Sequence, residues 1–176
     1  MIRTLLAASA AFALSSAALA ELEVGEAAPD FNVEGFQAGE EVSFTLSQAL
    51  ADGPVVLFFF PAAFTSGCEA QAASFAESIG EFEALGAQVI GITAGNTDQL
   101  AEFSTQHCAS AFPVFAIADG MMGDYEVRLM MRPGWTQRTT YVIDQSSSIA
   151  LTYTEMSPYE HVDQSLAALR AMAVDE

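Results

Sequence analysis

The chain is expected to fold as a mixed α/β domain, a central sheet flanked by helices, on three observations. Val55–Phe60 is an unbroken run of six apolar, β-prone residues, the pattern of a strand buried on both faces. Strand-like and helix-like segments alternate along the chain and end in two strands joined by a Ser-rich turn, then a helix. No internal repeat, low-complexity tract or linker interrupts residues 24–173, so residues 21–176 form one domain.

Residues 1–20 stand apart from that domain. Arg3 gives a positive start, Leu5–Ala18 is apolar, and Ala18-Leu19-Ala20 is a small-x-small cleavage site. The segment therefore reads as a secretory signal peptide cut after Ala20. Its apolar run is short for a membrane span, and an uncleaved anchor is the alternative. Export is expected, to a periplasm in a Gram-negative host.

Glu21–Asn32 reads as an irregular arm ending in Pro29-Asp30-Phe31, and Val42–Leu46 alternates as a short strand. Ser47–Ala51 fits one helical turn before Asp52-Gly53-Pro54 breaks it. The central strand then ends at Pro61, which cannot donate to a ladder. Ala72, Phe75, Ile79 and Phe82 recur at helical spacing, predicting a helix from about Cys68 to near Gly86. Gln88–Thr93 is a second β-rich run, and Asn96 followed by Gln99 matches a capping box for a helix reaching His107. Phe112–Ala118 is expected as a strand, Met121–Val127 as a short helix and Arg132–Trp135 as loop. Thr139–Asp144 and Ile149–Thr154 form a hairpin around Gln145–Ser148. Ser157, Pro158 and Glu160 match an N-cap, a first-position proline and an N3 acid for the last helix.

Composition narrows the partners. There are 23 acidic residues against 5 basic ones, no lysine, and a formal charge of -18. Residues 1–20 carry Arg3 and no acid, so their removal makes the chain one unit more negative. Such a surface repels nucleic acid and anionic lipid, and neither is expected as a partner. It fits solubility or a saline habitat, or the steering of a cationic reductant. With two cysteines, two histidines, no C-x-x-C and no H-E-x-x-H, no metal, haem or other cofactor is expected.

Chemistry concentrates where the central strand meets its helix. Cys68 falls in the helix's first turn, facing unpaired N–H groups and the positive end of the helix dipole. Both favour thiolate over thiol and make Cys68 a candidate nucleophile; the bland alternative is a small buried residue. Thr65 stands where a dithiol motif would carry its first cysteine, which excludes exchange within a C-x-x-C. One activated sulfur beside a hydroxyl suits attack on an O–O bond.

Pro61, Thr65 and Cys68 complete P-x-x-x-T-x-x-C, and with it the chain resembles the peroxiredoxins. The E-V-G-E-A-A-P-D-F stretch at Glu23–Phe31 and the R-T-T-Y-V-I-D stretch at Arg138–Asp144 resemble the bacterioferritin comigratory protein group in particular. The resemblance runs from about Val24 to the C-terminus. It implies a thioredoxin-like fold and a peroxidase acting on hydrogen peroxide or small alkyl hydroperoxides through a sulfenic acid on Cys68. It also implies a thioredoxin-like or small-thiol reductant and a monomer or homodimer.

In that reading Thr65 Oγ1 bonds sulfur and peroxide, the Gly67 and Cys68 N–H groups hold the peroxide, and Pro61 shields the sulfur. Arg138, by resemblance, supplies the cation, with a surface ion pair as its plain alternative and Arg132 as the fallback. Gln71 either orients the arginine or lies on a solvated face. Many relatives carry a resolving cysteine five residues after the first. That place is Ala73 here, so Cys108 is the candidate, the alternative being a buried bystander. His107 and His161 have no assigned partner. Competing functions are a thioredoxin-like disulfide oxidoreductase, which Thr65 argues against, and a non-catalytic thioredoxin-fold interaction protein.

Overall fold

The computed structural model describes residues 21–174, so the expected leader at 1–20 lies outside the described residues. Seven strands, β1 (Asn32–Gln37), β2 (Glu40–Thr45), β3 (Val55–Ala62), β4 (Gln88–Gly95), β5 (Val114–Ala116), β6 (Thr139–Ile143) and β7 (Ile149–Thr154), form one sheet. Their spatial order is β2-β1-β5-β4-β3-β6-β7. The β3, β4 and β5 pairings are parallel, whereas β6 and β7 on one side and β1 and β2 on the other run antiparallel. Among the described residues six α-helices cover the two faces: α1 (Leu46–Ala49), α2 (Ser66–Glu77), α3 (Ile79–Ala84), α4 (Leu100–Gln106), α5 (Met121–Asp124) and α6 (His161–Met172).

The apolar run of β3, flanked by β4 and β6, feeds both cores, one on each face of the sheet. Val56, Phe58 and Phe60 face Phe75 of α2, Phe103 of α4 and Leu166 of α6. Val55, Leu57 and Phe59 face Leu46, Met121 and Tyr125. The Phe58 and Phe75 rings stack at 4.5 Å, which ties α2 to β3 two turns after Cys68. Each buried phenylalanine is worth roughly 1.5–3 kcal/mol of transfer free energy, so the base of α2 is firmly seated.

Several local expectations give way to tertiary contacts. β3 does not stop at Pro61; Ala62 still pairs with Gly95. Pairing with β6 ends at Phe59–Thr139, so only β4 flanks the proline there. β1 has no counterpart in the sequence reading, because Gly35 interrupts its pattern. That glycine lets β1 press on β5, where a Cβ would lie 2.2 Å from the Val114 carbonyl oxygen. The long helix breaks at Ser78 into α2 and α3. Asn96 is left-handed (φ 55°) and caps nothing; its Nδ2 donates to the Ala63 carbonyl at 2.7 Å. Ser157 is not a cap either, since α6 begins at His161 with Glu160 as the flanking residue. The expected Phe112–Ala118 strand shrinks to Val114–Ala116, while the β6–β7 hairpin forms where expected.

Candidate active site

Three residues, Ala63, Phe64 and Thr65, carry the chain from the end of β3 into α2. Phe64 is left-handed (φ 55°) and Thr65 is extended, which turns the chain sharply enough to aim α2 back along the sheet. The Asn96 amide holds the turn from β4 through the Ala63 carbonyl. Cys68 closes the first turn, its N–H donating to the Thr65 carbonyl at 2.8 Å, and its side chain is 1% exposed.

Arg138, just ahead of β6, reaches the same spot from the neighbouring strand. It is 3% exposed, and Nη2 stands 3.6 Å from Cys68 Sγ. Nη1 donates to Gln71 Oε1 at 2.5 Å and Nε to the Met156 carbonyl at 3.0 Å. Gln71 sits one turn after Cys68 and is fully buried, so its expected alternative as a solvated residue is excluded. Its Nε2 is buried with no hydrogen-bond partner among the described residues. Neither ion pair among the described residues, Glu69–His107 or Glu81–Arg170, involves Arg138. A buried guanidinium without a carboxylate is costly, and the group in contact with it that can carry negative charge is the sulfur.

Gly67 has a reason beyond leaving room for a substrate. A Cβ there would lie 3.0 Å from Arg138 Nη2, so the glycine lets the guanidinium approach the helix start. The Thr65 hydroxyl is turned away from its expected partner: Oγ1 donates to the Ala62 carbonyl at 3.1 Å, closing the loop, and offers the site only its lone pairs. Pro61 is buried in β3, two residues before this loop. Arg132, the alternative cation, lies exposed over the Trp135 ring at 3.2 Å and takes no part in this cluster.

Cys108 follows α4, fully buried as a free thiol in the same apolar cluster as Cys68. Burial pushes its thiol pKa far up, so it rests as the neutral thiol. The residue after Cys68 and the residue before Cys108, Glu69 and His107, stand 3.6 Å apart, with His107 against the Phe64 and Phe103 rings. Among the described residues no group of three or more His, Cys, Asp or Glu gathers as metal ligands, and no helix is long and apolar enough to cross a membrane.

Gln71, expected as one holder of Arg138, bonds it, but the sequence reading missed the other. Met156 offers only a backbone carbonyl, which no residue type announces, and His161 acquires partners only once β6 and β7 pair.

Residues 24–152 match the model of the AhpC/TSA family. A chloroplastic Peroxiredoxin Q of Arabidopsis thaliana is 33% identical over 162 residues, covering 86% of this chain and 69% of the relative. The crystal structure of the peroxidoxin BcpB of Mycobacterium tuberculosis superposes with a TM-score of 0.75 at 31% identity, over 86% of this chain and 98% of that one. The AhpC of the same organism, 22% identical, shares the fold with a TM-score of 0.73, over 89% of this chain and 96% of that one. The architecture is thus the thioredoxin-like peroxiredoxin fold, a seven-stranded mixed sheet between helices. On this likeness across most of its length, the chain belongs to the AhpC/TSA family and is a peroxiredoxin, an oxidoreductase of the thiol peroxidase kind.

Proposed function

We propose that this peroxiredoxin is an exported enzyme that reduces hydrogen peroxide or small alkyl hydroperoxides at Cys68, with Arg138 as the site's cation and Cys108 as the resolving thiol. The observation that carries the reading is the buried Arg138 guanidinium 3.6 Å from the Cys68 sulfur, paired with no carboxylate among the described residues. The thiolate attacks one peroxide oxygen and the O–O bond breaks. The departing hydroxide or alkoxide takes a proton and leaves as water or alcohol, and the sulfur becomes a sulfenic acid. Charge moves from sulfur to the leaving oxygen, and a guanidinium touching the sulfur is suited to follow it, because its remaining N–H groups point from the same plane.

Gly67 N–H is the backbone donor suited to the peroxide, since the Cys68 N–H is already shared with the Thr65 carbonyl. Thr65 joins by accepting the peroxide proton through its lone pairs or by rotating its hydroxyl off the Ala62 carbonyl. Pro61 helps keep bulk water from the sulfur. The Cys108 thiol then attacks the sulfenic sulfur, forming a disulfide and releasing water, and a thioredoxin-type dithiol or a small thiol restores both groups. The nearness of Glu69 to His107 supports this pairing, because each flanks one of the cysteines. Export rests on the leader-like residues 1–20.

Steady-state peroxide consumption with a thioredoxin-type reductant tests the scheme. Cys68→Ser is expected to abolish turnover, and a variant that keeps turning over would refute the sulfur as nucleophile. Arg138→Ala is expected to slow oxidation by about a hundredfold or more, the scale of losing a charge-stabilising donor. Full rate in that variant would remove arginine from the mechanism. Expressed with its leader, the protein should appear outside the cytoplasm with Glu21 first; an intact Met1 would refute cleavage, and retention in the cytoplasm would refute export.

A further inference from the structure

Arg138 is gripped at two points by one short stretch of loop between β7 and α6. The Met156 carbonyl accepts from Nε at 3.0 Å, and the Glu155 N–H donates to the Arg138 carbonyl at 3.2 Å. The side chains of this dipeptide do not tie it to the sheet: both residues are exposed, and the Glu155 carboxylate accepts only from the Ser157 N–H of the same loop, at 3.2 Å. One buried side chain does. His161, at the start of α6 and fully buried, meets the Glu155 carbonyl with Nε2 at 2.9 Å and Thr140 Oγ1 with Nδ1 at 2.8 Å.

We propose that His161 is a positioning residue for peroxide reduction: bonded at both ring nitrogens, it clamps the Glu155–Met156 loop to β6 and thereby holds the Arg138 guanidinium against Cys68. This rests on the reading of Arg138 as the site's cation.

The chemistry of the ring sets the direction of the clamp. A carbonyl only accepts, so Nε2 carries the hydrogen toward Glu155, and Nδ1 of a neutral ring must accept from the Thr140 hydroxyl. Burial foremost, and the Arg138 charge after the Glu155 bond, keep the imidazole pKa below its ordinary value; the Glu155 and Ser157 backbone bonds and the Glu155 charge pull the other way without prevailing. The ring is closed off by Tyr153 of β7, edge-on at 4.9 Å, whose hydroxyl is taken by Glu160 at 2.8 Å. Thr140 is two residues beyond Arg138 on the strand, so the bonds run in a closed loop: Arg138 to Met156, Glu155 to His161, His161 to Thr140, and back along β6. A carbonyl fixed from outside the guanidinium sets where the fork points. Without it, the Gln71 bond is the remaining hydrogen bond outside the sulfur itself, and the fork can swing about it relative to Cys68.

A double-mutant cycle tests this in a Cys108→Ser background, reading the second-order rate of Cys68 oxidation by hydrogen peroxide. His161→Leu is expected to slow oxidation by about tenfold to a hundredfold, the scale of a misplaced reacting group. Combined with Arg138→Ala it should add less than about twofold, because a residue acting through the arginine has nothing left to position. His161→Gln, which donates and accepts as the ring does, should recover most of the rate. Thr140→Val, a near-isosteric change that removes one end of the clamp, should slow oxidation several-fold by the same non-additive rule, and decides the matter if the leucine variant does not fold. Equal costs of the His161 or Thr140 change with and without Arg138, or no cost at all in a folded variant, would overturn the proposal. If Arg138→Ala alone keeps full rate, the cation reading fails and this inference with it. If Arg138→Ala is slow and the His161 and Thr140 variants are not, only this inference fails.

Discussion

Burying Arg138 without a carboxylate strips the guanidinium of water and returns charge-assisted hydrogen bonds to Gln71 and Met156, each worth about 1.5–3 kcal/mol. Nη2 stands 3.6 Å from the Cys68 sulfur, the contact on which the proposed role of the arginine rests. Gly67 is part of that arrangement, and Gly67→Ala isolates it. Alanine favours a helix by up to about 1 kcal/mol over glycine, so the variant should melt no lower than the parent. Its Cβ, however, would sit 3.0 Å from Nη2 and push the guanidinium away by a few tenths of an ångström. Peroxide oxidation should slow by about tenfold while the melting temperature holds; an unchanged rate would mean that the arginine's approach to the helix is not what the glycine serves. At this scale the residue types were legible and their aim was not. Cys68 and Thr65 stand out where the central strand meets its helix, whereas Pro61 and Arg138 are picked out by the family resemblance. The direction of the Thr65 hydroxyl was hidden, because the Ala62 carbonyl it satisfies becomes available only when the loop closes.

The segment that must move, if Cys108 is to reach Cys68, is the end of α4 and the turn after it. Ala109 (φ 47°) and Ser110 (φ 61°) are consecutive left-handed residues with side chains, directly after Cys108, and both are exposed. Each such residue costs of order 1 kcal/mol, so the turn holds strain that unwinding would release. Glycine at both positions removes that strain, at a lesser cost of about 0.5–1 kcal/mol in unfolded-chain entropy. The expected result for Ala109→Gly with Ser110→Gly is a melting temperature raised by a few degrees and slower Cys68–Cys108 disulfide formation after one equivalent of peroxide, by about fivefold. Mass mapping of the cross-link against time reads it; a rate that rises or stays level, or no 68–108 cross-link in the parent, would refute the strained turn as the resolving element. Legibility of elements follows the same division between local and distant causes. β3 and the β6–β7 hairpin were visible as apolar runs around a turn, since burial alone makes them. Asn96 and Ser157 look like caps, yet Asn96 spends its amide on a carbonyl 33 residues away and Ser157 is followed by three residues of irregular chain before α6 begins. β1 was hidden by Gly35, present because β5 presses against it.

Over the whole molecule the charge is -18, and the few cations do little to offset it at the surface. Arg138 is buried and Arg170 is paired with Glu81 at 2.7 Å, which leaves Arg128 and Arg132 as the exposed cations among the described residues with no carboxylate partner. An approaching reductant therefore meets a field of one sign before it meets the site. Oxidised Cys68, studied in a Cys108→Ser background, offers a clean measure with three small thiols of different charge: cysteamine (cationic), 2-mercaptoethanol (neutral) and glutathione (anionic). Intrinsic thiol reactivity differs among them, so the informative quantity is each rate relative to the neutral thiol as salt is raised. Between ~10 mM and ~1 M salt the Debye length falls from about 30 Å to about 3 Å, which removes steering and leaves local contacts intact. Cysteamine's relative rate should fall by up to about tenfold across that range, and glutathione's should rise. Ratios that stay flat with salt would show that the acidic surface keeps the chain soluble without selecting its reductant. A falling cysteamine ratio would instead place recycling with a partner that presents positive charge around its thiol, a property carried by the surface as a whole and by no single residue of the site.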